Sequence, residues 1–195
     1  IGGRQARGFF ARPGSDHAAM LLYGSDPVRI AMGRETLVKA LIGAEGAAEM
    51  RLARMSGAEV ARDPAALDAA VRSSGFFPGA RAVLVEEAGD GASAALKAVL
   101  TDWREGDARI VVTAGALRAK SSLRKLFEAG RTTAAIGIYD DPPDRAEIAA
   151  DLKAAGLGVV PAAALEDLEG LGRSLDPGDF ARFLEKLAVY KLGDA

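Results

Sequence analysis

The sequence predicts a doubly wound α/β domain, in which helices cover both faces of a parallel β-sheet. Three observations favour this fold class. Short apolar runs alternate with helical patterns, several runs are continuously apolar and rich in β-branched residues, and helix start signals stand between them. Continuous apolar runs are typical of strands buried on both faces, and strand–helix alternation is typical of a parallel sheet. A hydrophobic fraction of 49% in 195 residues is enough for such a core.

Apolar runs of strand length predict five strands. The second run is the least regular, with Met50, Leu52 and Ala53 at its apolar positions. The predicted strands cover residues 20–23, 49–55, 82–85, 110–113 and 135–139.

Asp-Pro pairs predict the starts of three helices, at Asp26, Asp63 and Asp176. Aspartate accepts hydrogen bonds from the free N–H groups of a first turn, and proline fits the first helical position. Asp144 and Glu147 have the spacing of a capping box and predict a further helix start. The helix after Asp63 is predicted to end near residue 74.

The pattern changes after Tyr139, which predicts a domain boundary. Residues 140–143, with the sequence DDPP, predict a turn and hinge, and only helical patterns follow. The last helix has one apolar face, formed by Phe180, Phe183, Leu184, Leu187 and Ala188. We therefore predict an N-terminal lead segment (1–17), an α/β domain (18–141) and a helical lid domain (142–195) that is short and incomplete.

Composition excludes several classes of function. A net charge of −2 gives no chain-wide basic field for nucleic acid, and the lack of cysteine excludes disulfides and thiolate chemistry. The apolar runs are far shorter than the ~20 residues of a membrane helix. The first residues form no signal peptide and include no initiator Met, so we expect a piece of a longer cytoplasmic protein without a membrane partner.

The junction after the first strand, residues 23–29 (YGSDPVR), is where this architecture binds phosphate. A phosphate loop needs several glycines, a lysine and a Ser or Thr, but this junction has one glycine and no lysine. Pro27 removes an N–H donor, and Asp26 places a carboxylate where phosphate would lie. We predict that Asp26 caps the helix, and that the chain binds no ATP and no other cofactor.

Other candidate chemistry is sparse. Glu86 and Glu87 follow the third strand as the metal-binding acids of ATPases do, but without phosphates we interpret them as a strand end. His17 is the only histidine and is predicted to be solvated in a loop, and Asp140 and Asp141 are predicted to form a turn. We expect no catalytic residue and no metal site.

Residues 75–79, with the sequence GFFPG, place two of the seven phenylalanines side by side in a turn before the third strand. Turn residues normally lie at the surface, and an exposed aromatic pair is unfavourable unless a partner buries it. Two interpretations stay open. Phe76 and Phe77 either bind a partner or lie beneath the edge of their own sheet.

A basic cluster follows the fourth strand and consists of Arg118, Lys120, Arg124 and Lys125. One interpretation is contact with DNA phosphates or with an acidic partner. The simpler one is a solvated helix face opposite Leu123, Leu126 and Phe127, because charge runs usually solvate a helix.

Four segments, taken in order and spacing, carry a resemblance to a known family. They are residues 21–26 (LLYGSD), 75–81 (GFFPGAR), 121–128 (SSLRKLFE) and 184–190 (LEKLAVY). With these segments the chain resembles the delta subunit of the bacterial DNA polymerase III clamp loader, over nearly its whole length. The resemblance implies an AAA+ type fold without ATPase activity, in a subunit of a DNA-directed DNA polymerase holoenzyme.

The resemblance also implies partners. Two adjacent large apolar residues after the third helix of the family wedge into the sliding clamp (the beta subunit) and open the ring for loading on primed DNA. Phe76 and Phe77, followed by Pro78, occupy that place, although the family pair is often Leu-Phe. A C-terminal collar domain, absent here, would bind the other loader subunits, and DNA would be reached indirectly. The rival interpretations are a nucleic-acid-binding module that uses Arg118 to Lys125, a nucleotide-dependent enzyme with its phosphate site elsewhere, and a regulatory scaffold with an unrelated partner.

Overall fold

The structure is a computed structural model that describes residues 4–139, 145–154, 156–157 and 160–191. Contacts divide the chain into two compact units, residues 1–139 and residues 140–195. The predicted hinge at 140–143 and the predicted capping residue Asp144 lie outside the described residues. The predicted limits of the three segments stay a prediction.

The first unit contains a five-stranded sheet in the order β2-β3-β4-β1-β5, and all of its pairings are parallel. The strands are β1 (Ala19–Gly24), β2 (Leu52–Ser56), β3 (Ala82–Glu86), β4 (Arg109–Ala114) and β5 (Thr133–Ile138). The predicted fold class and the five predicted strands are confirmed. The predicted start of the second strand at residue 49 is wrong, because a turn in which the Arg51 N–H donates to the Gly46 carbonyl (2.8 Å) precedes it.

Six α-helices flank the sheet in the described part of this unit. They are α1 (Arg4–Ala11), α2 (Pro27–Ile42), α3 (Gly57–Arg62), α4 (Pro64–Arg72), α5 (Ser93–Thr101) and α6 (Ser122–Ala129). The caps predicted at Asp26 and Asp63 are confirmed, since their carboxylates accept hydrogen bonds from the N–H groups of Arg29 (2.9 Å) and Ala66 (3.2 Å). A capping box of Ser56 and Glu59, which the sequence analysis did not identify, begins α3.

Alternate residues of each central strand pack on opposite faces of the sheet. On β1, Leu21 belongs to one core with Leu96 and Phe127, and Leu22 belongs to the other with Leu37. The second core also buries α1, within a segment for which no helix was predicted. Its Phe10 ring lies so close to α2 that a Cβ on Gly33 would approach it to 2.8 Å.

The second unit is helical and consists of α7 (Arg145–Ala154), α8 (Ala162–Gly172) and α9 (Pro177–Lys191) in its described part. Its core is formed by Ile148, Leu152, Leu168, Phe180 and Leu184. The predicted apolar face of the last helix is confirmed: three of its five members are buried and the other two are partly buried against this core. No helix in the described ranges combines the length and apolarity needed to cross a bilayer.

Candidate partner-binding site

The connection between α4 and β3 presents two aromatic rings to solvent. Every residue from 73 to 80 is exposed, and we call this segment the docking loop. Phe76 is 90% exposed and Phe77 is 37% exposed, with their rings in edge-to-face contact at 5.3 Å between centroids. Of the two interpretations left open by the sequence, the structure has the exposed pair, whereas the role of Phe76, Phe77 and Pro78 stays a prediction.

The docking loop lies at the edge of the sheet where the parallel strands begin. Its last residue is followed by Arg81 and then by Ala82, the first residue of β3, which pairs with Leu52 of β2 and Arg109 of β4. The β1–α2 junction lies at the opposite edge, where strands end. The two candidate sites of the sequence analysis are therefore separated by the length of the sheet.

Two arginines hold the ends of the docking loop. The Arg81 guanidinium donates to the carbonyl of Ser73, at the end of α4, and to the carbonyl of Gly106 (2.8 Å) in the loop before β4. The Arg51 guanidinium donates to the carbonyl of Ala80 (2.8 Å). Because both arginines donate to main-chain carbonyls, they restrain the backbone of the loop.

The glycines of the docking loop allow the chain to pass close to these arginines. Gly79 has φ +123°, a conformation that side chains rarely adopt, and a Cβ there would lie 3.3 Å from the Arg51 guanidinium. A Cβ on Gly75 would lie 3.0 Å from Cδ of Arg81. The two glycines and the two arginines together therefore restrain the backbone that displays the two rings.

The phosphate edge has the closed geometry expected from the sequence. Asp26 is 2% exposed and caps α2, and Pro27 occupies the first turn. Arg29 donates to the Tyr139 carbonyl (2.9 Å), which joins α2 to the end of β5. The carboxylate thus occupies the helix end that a phosphate would need.

The acid at the end of β3, Glu86, is paired with arginines. Glu86 accepts a hydrogen bond from Arg34 (2.5 Å) and lies 3.7 Å from the Arg54 guanidinium, which supports its interpretation as a strand end. The described residues contain no group of three or more His, Cys, Asp or Glu that could hold a metal ion.

The basic cluster is not a uniform surface. Arg118, Lys120 and Lys125 are exposed, but Arg124 is half-buried, bonds to Glu128 (2.8 Å) and lies 5.2 Å from the Tyr23 ring centroid. Arg124 is therefore less accessible to DNA or a partner than the other three residues are. The role of all four stays a prediction.

The start of α6 is anchored to the turn after β3. The Ser121 hydroxyl donates to the Asp90 carboxylate (2.5 Å), which also accepts the Leu123 N–H (3.0 Å). These two bonds hold the pKa of Asp90 below its ordinary value.

A groove of about 490 Å³ was missed by the sequence analysis. It is lined by residues from separate segments, among them His17, Tyr23, Arg124 and Tyr139, so no local motif could have indicated it. Burial, together with a hydrogen bond to Tyr139, raises the pKa of Tyr23 to about 12.

The prediction that His17 is solvated is wrong, because its ring packs edge-to-face on Phe9 at 5.2 Å and its side chain is 21% exposed.

Comparisons with known proteins support the fold. No family model and no curated protein matches the sequence. Among solved structures, the chain is similar to the Bacillus subtilis DNA clamp loader delta protein YqeN, with 14% identity, a TM-score of 0.66, and coverage of 95% of this chain and 57% of that one. Domain III of the Thermotoga maritima replication initiation protein DnaA also matches, with 13% identity, a TM-score of 0.45, and coverage of 97% and 82%. The chain therefore spans little more than half of YqeN. It shares with that protein a fold in which a parallel sheet with flanking helices is followed by a helical part.

Proposed function

We propose that this chain is a clamp-loader-type subunit that binds the ring-shaped sliding clamp through its docking loop and hydrolyses no ATP of its own. The observation that carries the proposal is the exposure of Phe76 and Phe77 on a backbone held by two arginines. The capped helix end at Asp26 and the similarity of fold to a clamp loader delta protein support it.

The restrained backbone favours binding through the rings. Association requires ordering of side chains and loops, and a loop already held at Ser73 and Ala80 loses less freedom when it binds. Aromatic side chains that enter a desolvated pocket are typical hot spots of protein interfaces. The docking loop would therefore contribute most of its binding energy through two residues.

Opening of the clamp requires more than tight binding. A ligand shifts a conformational equilibrium only by its difference in affinity for the two states. In our proposal, the rings bind a pocket that is better formed in the open or strained ring than in the closed ring. The other loader subunits would bind through a collar domain outside this chain, and the chain would contact DNA only indirectly. The subunit would act within a polymerase holoenzyme in the cytoplasm.

Surface plasmon resonance with a purified bacterial sliding clamp tests the binding step. We expect saturable binding by the wild-type chain, and a Phe77→Ala variant weakened by ~2 kcal/mol or more, the usual size of a hot-spot effect. Absence of binding by the wild-type chain, or a variant with wild-type affinity, would contradict the proposal. Tyr190→Ala, which removes an aromatic residue that is 75% exposed in the second unit, is the matched control.

A thermal-shift assay tests the absence of ATP binding. A ligand that binds only the folded state raises its stability, by about 2.7 kcal/mol at a hundred times Kd. We expect no shift of the melting temperature with millimolar Mg-ATP, because Asp26 and Pro27 close the helix end. Binding of ATP at micromolar concentration in calorimetry would favour the rival nucleotide-dependent enzyme.

A second candidate function is binding of nucleic acid by the basic cluster. The exposure of Arg118, Lys120 and Lys125 favours it, since phosphate contacts need accessible cations. Such binding would weaken steeply as salt rises, because each contact releases counterions. Fluorescence anisotropy of labelled DNA at 50 and 200 mM salt measures it, with the triple alanine variant as the control.

A further inference from the structure

Met50 is a third exposed large apolar side chain at the edge of the sheet that carries the docking loop. It is 73% exposed and lies in the turn just before β2. Its φ is +54°, and among the described residues only Glu87 shares a positive φ without being glycine. A left-handed backbone is unfavourable for a residue that carries a side chain, so the fold alone does not favour methionine at this position.

The Met50 turn and the docking loop are physically joined. Arg51, the residue after Met50, donates to the Ala80 carbonyl and lies against Gly79. The Arg51 carbonyl also accepts the N–H of Ala82 (2.9 Å), the first residue of β3. Met50 therefore precedes a residue that is bonded both to the last residue of the docking loop and to the first residue of β3.

The area of the docking loop alone is small for a stable complex. With about 200 Å² for a whole phenylalanine side chain, exposures of 90% and 37% leave about 250 Å² of apolar surface on Phe76 and Phe77. A typical stable interface covers about 800 Å² on each partner. A partner that takes the two rings must therefore cover further surface, and Met50 is the exposed large apolar residue that the hydrogen bonds of Arg51 join to them.

We propose that Met50 is a third anchor of the same interface and inserts its flexible thioether beside the two rings into an apolar surface of the sliding clamp. The inference rests on the proposed function and extends the bound surface from β3 to β2. Methionine suits this role because its unbranched, polarisable side chain adapts to irregular apolar surfaces.

Replacement of Met50 by glycine or asparagine separates binding from folding, because both residues tolerate a positive φ. We expect a Kd for a purified bacterial sliding clamp about tenfold higher for Met50→Gly and Met50→Asn, with melting temperatures unchanged or raised. Glu87→Gly makes the same backbone change at the opposite edge of the sheet, and its Kd is expected to stay within twofold of wild type.

The outcomes separate this inference from the proposed function. If Phe77→Ala weakens binding but both Met50 variants bind within twofold of wild type, the third anchor is overturned and the proposed function stands. If both Met50 variants lower the melting temperature by more than about 5 °C, Met50 is a structural residue and the inference is overturned. If the wild-type chain does not bind the clamp, the proposed function fails and this inference fails with it.

Discussion

Replacement of Phe76 by alanine is the perturbation for which the structure gives the largest expected effect. The side chain is 90% exposed, so nearly all of its roughly 200 Å² is available to a partner. At about 25 cal/mol per Å², complete burial of that surface corresponds to ~4–5 kcal/mol as an upper limit. Because alanine keeps its Cβ and pockets fit imperfectly, we expect a loss of ~2–4 kcal/mol, or about 30-fold to about 900-fold in Kd.

The assay is surface plasmon resonance of the chain against immobilised sliding clamp, with thermal unfolding of each variant measured in parallel. Phe76 has few contacts within its own fold, so the melting temperature is expected to change little. A Phe76→Leu variant keeps a large apolar side chain and is expected to lose less than about tenfold in affinity. Most of the loss should appear as faster dissociation, as is usual for interface variants.

One result would refute this reasoning directly. If wild type binds the clamp and Phe76→Ala binds within twofold of it, the exposed ring is not an anchor, whatever binds elsewhere. The double variant adds a second check. Because the two rings are 5.3 Å apart, the losses from Phe76→Ala and Phe77→Ala should not be additive.

Three further predictions concern the support of the site and of the fold. Arg81→Ala removes the hydrogen bonds to Ser73 and Gly106, so we expect faster proteolysis within residues 73–80 and about fivefold weaker clamp binding. Unchanged protection from protease would contradict this expectation. Asp26→Ala should destabilise the chain by ~1 kcal/mol in urea unfolding and Asp26→Asn by less, because asparagine also caps helices; equal losses would exclude the cap as the cause. The lowered pKa of Asp90 means that its stabilising effect is present above the ordinary carboxyl pKa of about 4 and is lost as pH falls through the lower folded-state pKa. The difference in melting temperature between wild type and Asp90→Asn should therefore shrink below about pH 4, and a difference that stays constant to pH 2.5 would refute this.

The strands could be predicted because burial on both faces leaves an unbroken apolar run, as in β3 and β4. The second strand was misplaced because Met50 is apolar but lies in a turn, so hydrophobicity alone extended the run in the wrong direction. The helix α1 was missed because its buried residues Ala6 and Phe10 belong to a core whose other members include residues far along the chain, which a local pattern does not show. Local patterns therefore predicted the elements that bury most of their surface.

The exposure of the docking loop could not be predicted from the sequence, for a related reason. Whether the rings point outward depends on Arg51, which is 29 residues from Ala80, and on Gly106, which is 25 residues from Arg81. No spacing within residues 75–79 records those two hydrogen bonds. The sequence could predict that the phenylalanine pair is unusual, but only the tertiary contacts decide between a buried and a displayed pair.

The two edges of the sheet now have different chemical characters. At the carboxyl ends of the strands, where AAA+ ATPases bind phosphate, the buried Asp26 satisfies the helix end from within the chain. At the other edge, the arginines satisfy main-chain carbonyls and leave Phe76 exposed. A capped helix end has fewer free N–H donors for a nucleotide. A ring that is 90% exposed can bury most of its surface only against a partner. Our proposal therefore assigns binding to the edge of the sheet that nucleotide-binding members of this fold do not use for nucleotide.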